Sequence, residues 1–386
     1  MLSITIIETI SFLNWFIPLF LSKIYNMNRL ILLVATVMLL QSCNNSNTAK
    51  VDAGKNEPQL SGEAERFLLQ DAQDVFKPLP ALAASETNPL TDDKILLGKA
   101  LYFDARLSKT GNNSCNSCHN LNTFGVDRLS TSPGDAGKKG DRNSPSTLNA
   151  AFHTIQFWDG RAKDVEQQAG MPILNPVEMG IPSRDFLVAK LKPINEYKEL
   201  FAKAFPDEKE PFNYTNIEKA IAAFERTLVT PSPFDDYLIG KTEALTYEQK
   251  TGLREFIKIG CTQCHSGVTL GGNSLQKFAV YGNHWDYTKA INRDLGRMKE
   301  TKAKEDEFVF KTCGLRNVAE TYPYLHDGCI SDLKEVVRIM GKAQLNKDLS
   351  EQQVQSITAF LGALTGKVPD AAKDVPSWVV QVKSVQ

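Results

Sequence analysis

Cys115-Asn116-Ser117-Cys118-His119 and Cys261-Thr262-Gln263-Cys264-His265 are two copies of one pattern, C-x-x-C-H. The spacing attaches a haem through two thioethers and offers the adjacent imidazole as proximal iron ligand. A thioredoxin-like role needs a βαβ context that the flanking sequence lacks. A zinc site would have to recruit ligands from a chain with only five His. Two copies in one chain predict two covalently bound haems c.

Each motif is followed by a related block. Asn149 precedes Trp158-Asp159-Gly160 by nine residues, and Asn317 precedes His326-Asp327-Gly328 by the same interval. The offset between the blocks also pairs Asp164 with Asp332 and Val165 with Leu333, so the chain reads as a duplicated haem module. Helix-like spacing covers Asp93–Phe103, Ile217–Leu228, Tyr247–Ile259 and Ser331–Met340. In the second of these, Ile217, Ile221, Phe224 and Leu228 share one face. No long alternating strand pattern stands out. The expected fold is mostly α, with two cytochrome c-like domains, each carrying one covalently bound haem c. Residues 80–230 form the first haem domain and 231–366 the second, joined near Thr230-Pro231-Ser232-Pro233, with 367–386 a C-terminal tail.

Composition sets the outer bounds. The chain has 386 residues, with 44 Lys+Arg against 45 Asp+Glu for a net charge of −1, so no basic field argues for nucleic acid. At 42% hydrophobic and 23% charged it is an ordinary globular chain. From Met27 the sequence reads MNRLILLVATVMLLQSC: one Arg, an apolar run and a small-residue end, resembling a secretory signal that closes in a lipobox, with Cys43 as the lipidated residue. A second apolar stretch, Ile4–Leu21, precedes it and is interrupted by Glu8, Asn14 and Pro18, so Met27 is the expected start. Residues 1–43 are thus the signal region and 44–79 a polar tether with an N-terminal extension. The expected location is the periplasmic side of the cell envelope, anchored by lipid.

The two copies differ where iron chemistry is decided. Ser331-Asp332-Leu333-Lys334-Glu335 reads as a capped helix start running to Met340, placed to be a thioether ligand of the second haem. His/Met ligation raises the reduction potential and suits electron transfer. At the same offset the first copy has Pro172, which has no ligating side chain. One haem is therefore expected to be six-coordinate and the other to keep an open position, an arrangement suited to reducing a small oxidant.

With these features the chain resembles the bacterial di-haem cytochrome c peroxidases. The matching stretches are LGKALYFDARLSKTGNNSCNSCHN, RNSPSTLNAAFHTIQFWDGRAKDVEQQAGMPILNPVEMG, GCTQCHSGVTLGG, and LRNVAETYPYLHDG through Met340, within residues 80–366. The resemblance implies reduction of H₂O₂ to water by electrons from a small redox protein, a cytochrome c or a cupredoxin, and a tendency to form homodimers. It makes the His119 haem the low-potential peroxidatic centre and the His265/Met340 haem the high-potential entry point. Gln168 and Glu178 match the distal pair of the peroxidatic pocket, where a carboxylate relays the proton that O–O cleavage requires. Trp158 matches the residue between the haems, an electron bridge. Asn143, Thr321 and Pro323 match an inter-haem Ca²⁺ site, the last two through backbone carbonyls. His326 matches a family His near the high-potential haem.

One departure from the family matters most. Reductively activated members carry a His in the loop after the first motif that caps the resting peroxidatic iron. Here that loop is Ser132-Pro133-Gly134-Asp135-Ala136-Gly137-Lys138, with Asp135 in the corresponding position, and no His lies between His119 and His153. The expectation is a peroxidatic haem open without prior reduction. His153 is read as a packing residue and His284 as a loop residue. Of the seven Cys, Cys313 and Cys329 are left over; an oxidising compartment permits a bridge between them, and two buried thiols are the alternative. Two other functions stay in view: a di-haem oxidase acting on a partner protein or organic substrate, disfavoured by retention of Met340, and a non-catalytic electron carrier, disfavoured by Gln168 and Glu178.

Overall fold

The computed structural model describes residues 60–288 and 293–382. The signal region and Cys43 lie outside the described residues. Nine helices of eight or more residues build the described part: α1 Gly62–Val75, α2 Asp92–Phe103, α3 Val165–Leu174, α4 Arg184–Leu191, α5 Asn195–Ala204, α6 Tyr214–Glu225, α7 Tyr247–Ile259, α8 Leu333–Leu345 and α9 Glu351–Gly362. The sheet is one antiparallel pair, β1 Leu275–Lys277 with β2 Val309–Lys311, in register Leu275↔Lys311. Among the described residues no helix is long and apolar enough to cross a membrane.

The helices start where polar caps sit. Asp164 accepts from Gln167 N at 2.8 Å at the head of α3. Its counterpart in the repeat, Asp332, accepts from Lys334 N at 2.9 Å at the head of α8. This cap places the start of α8 after Ser331, and the helix runs past Met340 to Leu345. Likewise α6 begins earlier than its apolar spacing suggests, because Asn213 caps it through Asn216 N at 2.9 Å. It stops at Glu225, where the ladder tightens as Thr227 N and Leu228 N turn back three residues to the Phe224 and Glu225 carbonyls at 2.9 and 3.0 Å.

Two cores form around two helix crossings. In the first, α2 crosses α6 at Gly98, where a Cβ would drive into the Ala220 carbonyl and against Phe224. In the second, α7 crosses α9 at Gly252, where a Cβ would meet the Ser356 carbonyl and Phe360. Only the missing side chain lets the backbones approach so closely. Next to each glycine stands an edge-on aromatic pair, Tyr102 with Phe224 at 5.3 Å and Phe256 with Phe360 at 5.4 Å. Leu97, Leu101, Ile217 and Phe224 centre the first core; Leu253, Phe256, Val354 and Phe360 centre the second.

The terminal segments do more than the sequence suggests. Within the stretch read as tether and extension, α1 packs Leu68 and Ala72 into the second core. The C-terminal tail returns to the first core, where Val368, Ala372 and Val379 are buried and Trp378 stands edge-on to Tyr197 at 4.9 Å.

The two halves of the repeat meet on one hydroxyl. Asn149 and Asn317 both have left-handed backbones, with φ of 60° and 61°, and both donate through Nδ2 to Thr230 Oγ1, at 2.8 and 2.9 Å. Thr230 and Asn317 have no exposed surface. Thr230→Val would leave two buried amides without their acceptor. It is expected to cost about 2–4 kcal/mol, read as a lowered denaturant midpoint of the holoprotein with an unchanged slope.

Candidate active site and its electron entry

Each C-x-x-C-H is wound into a single tight turn. Cys115–Cys118 is one helical turn behind Ser114, and Cys261–Gln263 is a 3-10 turn. In both, the His amide closes back on the first Cys carbonyl at 3.0 Å, which sets the imidazole beside the two thiols. Burial lowers the pKa of both His119 and His265, favouring the neutral imidazole that binds iron. His265 Nδ1 lies 3.0 Å from the Leu270 carbonyl, which fixes the ring and leaves Nε2 as its ligating nitrogen.

The first motif opens onto a cavity of about 520 Å³. Helix α3 lays Val165, Gln168, Ala169 and Pro172 along it, the one-face pattern of a helix. After α3 the chain turns tightly, with Gly180 N on the Asn175 carbonyl at 2.9 Å, and this turn presents Glu178 to the same cavity. Asn175 Nδ2 donates to Glu178 Oε1 at 2.8 Å. Burial nevertheless raises the Glu178 pKa, against the opposing pull of Arg161 and that hydrogen bond. Gln168, Glu178 and Pro172 thus share the cavity that holds Cys115, Cys118 and His119.

The second motif opens onto a cavity of about 270 Å³, lined by Cys261, Cys264, His265 and Met340. Helix α8 turns Leu333, Val336, Val337, Met340 and Gln344 toward it, so Met340 and Pro172 occupy matching faces in the two halves. Arg316 also lines this cavity. Its Nη1 pairs with Asp235 at 2.6 Å, whereas its buried Nη2 has no partner among the described residues. An orphaned guanidinium N–H beside a Cys-Cys-His-Met donor set fits a haem, whose propionates would accept it.

Trp158 lines both cavities. Its Nε1 donates to the Asn143 carbonyl at 2.8 Å. Asn143, Thr321, Pro323 and His326 all line the second cavity. The Asn143 amide nitrogen is committed to the Leu129 carbonyl at 2.9 Å, leaving its oxygen as the free end. Among the described residues no three His, Cys, Asp or Glu gather as a metal cluster. His326 stacks on Phe310 at 4.3 Å.

Asp135 lines neither cavity. Its carboxylate accepts from Thr110 N and Oγ1, both at 2.8 Å, and from Asn112 N at 3.0 Å, and its pKa is lowered, these donors outweighing burial. Its own N–H donates to the Glu178 carbonyl at 2.7 Å. The loop is thereby tied to the turn that carries Glu178.

Other residues depart from their sequence reading. His284, expected in a loop, opens the short helix His284–Tyr287 and stacks on Phe308 at 4.3 Å. Cys313 lines the second cavity, while Cys329 packs with the Phe278–Phe310 cluster. Sequence reasoning missed Glu225, which lines the first cavity with its pKa pushed up to about 8 by burial. It also missed Arg142, which pairs with Asp159 at 2.5 Å and Asp294 at 2.6 Å behind Trp158. Only its place in the RNSP block hinted at Arg142; nothing local marks Glu225.

Residues 92–243 match the family model of the di-haem cytochrome c peroxidases. The chain is 45% identical over 304 residues to the cytochrome c551 peroxidase of Pseudomonas aeruginosa, covering 78% of this chain and 87% of that one. The chain belongs to the di-haem cytochrome c peroxidase family. A cytochrome c551 peroxidase of Nitrosomonas europaea is 41% identical, over 78% of this chain and 86% of its own length. Among solved structures, a MauG-like protein associated with microbial copper homeostasis superposes with a TM-score of 0.67 at 28% identity, covering 79% of this chain and 97% of that one. As a family member the protein is an oxidoreductase that reduces hydrogen peroxide with electrons from a cytochrome, and it carries two haems c.

Proposed function

We propose a division of labour in which the His119 cavity reduces peroxide and the His265/Met340 cavity takes in electrons. The observation that carries it is the contrast of matching helix faces: Pro172 with Gln168 on α3, Met340 on α8. Bound haem iron supplies the redox centre that holds peroxide and passes electrons. The protein supplies protons and position for H₂O₂ + 2e⁻ + 2H⁺ → 2H₂O. Glu178 takes the proton from the near oxygen and returns it to the departing one, while Gln168 orients the substrate. Trp158, shared by both walls, is the electron bridge. The free Asn143 oxygen, with the Thr321 and Pro323 carbonyls, would hold a Ca²⁺ between the haems, as oxygen donors suit a hard cation.

The reading extends outward from the site. The electron donor is a small cytochrome c or cupredoxin, the protein is exported to the periplasmic side and tethered through lipidated Cys43, and it forms a homodimer.

The peroxidatic site is proposed to be open without reductive activation. The loop has no imidazole to offer, and Asp135 is fully engaged by Thr110 and Asn112. Fully oxidised protein mixed with H₂O₂ and reduced donor is expected to turn over from the first cycle. A lag abolished only by prior incubation with reductant would refute the proposal.

A further inference from the structure

Lys311 is a buried lysine with no anionic partner among the described residues. It ends β2, with its amide on the Trp158 carbonyl at 2.6 Å, and it is 6% exposed. Among the described residues no ion pair includes it, and its Nζ lies 3.2 Å from His153 Nδ1. His153 is half-buried, wedged where side chains at Gly272 and Gly314 would collide with it. Burial and the Lys311 charge hold the His153 pKa far below its ordinary value. The imidazole is therefore neutral, and Nδ1 accepts one ammonium hydrogen. Among the described residues, two N–H groups of Lys311 are left without an acceptor.

Both residues line both cavities. A buried ammonium costs several kcal/mol unless an anion answers it. Arg142, close by, is already matched by Asp159 and Asp294, so the described protein leaves no carboxylate for Lys311. Burial lowers the Lys311 pKa to about 8, and an anion in what fills the cavities would hold the ammonium charged. A haem carries its negative charge on propionate carboxylates, at the edge away from the thioether bonds.

We propose that Lys311, oriented by neutral His153, is the counter-cation of a haem propionate at the junction of the two cavities. This rests on the two-haem reading. A fixed positive charge next to a haem favours its reduced state, so Lys311 biases where an electron rests on either side of Trp158. It is a positioning residue that sets electron distribution and touches no peroxide.

The test is a spectroelectrochemical titration of the full holoprotein, resolving each haem, for wild type, Lys311→Met and Lys311→Arg. Haem content by pyridine haemochrome comes first; fewer than two haems in the wild type would refute the two-haem reading and the proposal with it. In Lys311→Met, one haem is expected to hold about tenfold less reduced form at a fixed potential, about 59 mV for a one-electron couple. Lys311→Arg should stay within twofold of wild type. Two loaded haems with unshifted midpoints in Lys311→Met would overturn the proposal and leave the two-haem reading intact. If Lys311→Met loads no haem, the reduced-minus-oxidised infrared difference spectrum decides. A carboxylate band in the wild type that moves in Lys311→Arg supports the pairing, and an unmoved band or none overturns it.

Discussion

Glu178→Gln is expected to lower peroxide turnover by about 10²–10⁴-fold, with both haems still attached and their midpoint potentials unchanged. The substitution keeps the shape of the side chain and its hydrogen bond from Asn175, but an amide cannot accept the peroxide proton and return it. The pH profile adds a second signature. Burial raises the Glu178 pKa, so the ionised base is lost as pH falls through a value higher than that of a free carboxylate. The wild type should show an acidic limb in kcat/KM, falling as pH decreases, and Glu178→Gln should lose it. A variant within threefold of wild type, or one that keeps the same limb, would assign the proton relay elsewhere; Glu225, on the same cavity, would be the next residue to test.

Met340→Leu is the second large effect. The exchange nearly conserves volume, so a Met that merely packed in the core would tolerate it for less than about 1.5 kcal/mol. A thioether bound to iron behaves differently. Its loss removes one of the levers by which axial ligands spread haem potentials over roughly 0.8 V, and here it is the one that raises the potential. The high-potential haem should fall by about 100 mV or more, a bias of about fiftyfold or more at about 59 mV per tenfold. Donor-driven turnover should drop by more than tenfold, while the His119 haem keeps its own midpoint. An unchanged potential would return Met340 to the role of core filler.

The residues that announced themselves in the sequence are those whose chemistry demands fixed spacing. The C-x-x-C-H turns, the capped start of α8 and the Met340/Pro172 contrast could all be read because each is local and repeats. Its structural counterpart, the pair of glycine crossings at Gly98 and Gly252, was missed because a lone glycine in a helical pattern says nothing about the neighbour it admits. Lys311 looks like a surface charge in sequence, and its burial depends on β2 lying against Trp158. The start of α6 was misjudged because Asn213 extends the helix beyond its apolar stripe. His284 resembled a loop residue because the aromatic surfaces that cover it, Phe278 and Phe308, come from two other segments.

Thr230 also ties the motion of the two modules together. Asn149 and Asn317 reach the same oxygen, and a hydroxyl has two lone pairs to give. In the second half, Gly366 takes the place of Thr230 in the bond to the matching Asn, its N–H donating to Asn317 Oδ1 at 2.9 Å as Thr230 N donates to Asn149 Oδ1 at 3.0 Å. Gly366 brings no hydroxyl. The joint is therefore saturated: one oxygen answers both modules, and neither can shift against the other without stranding a buried amide.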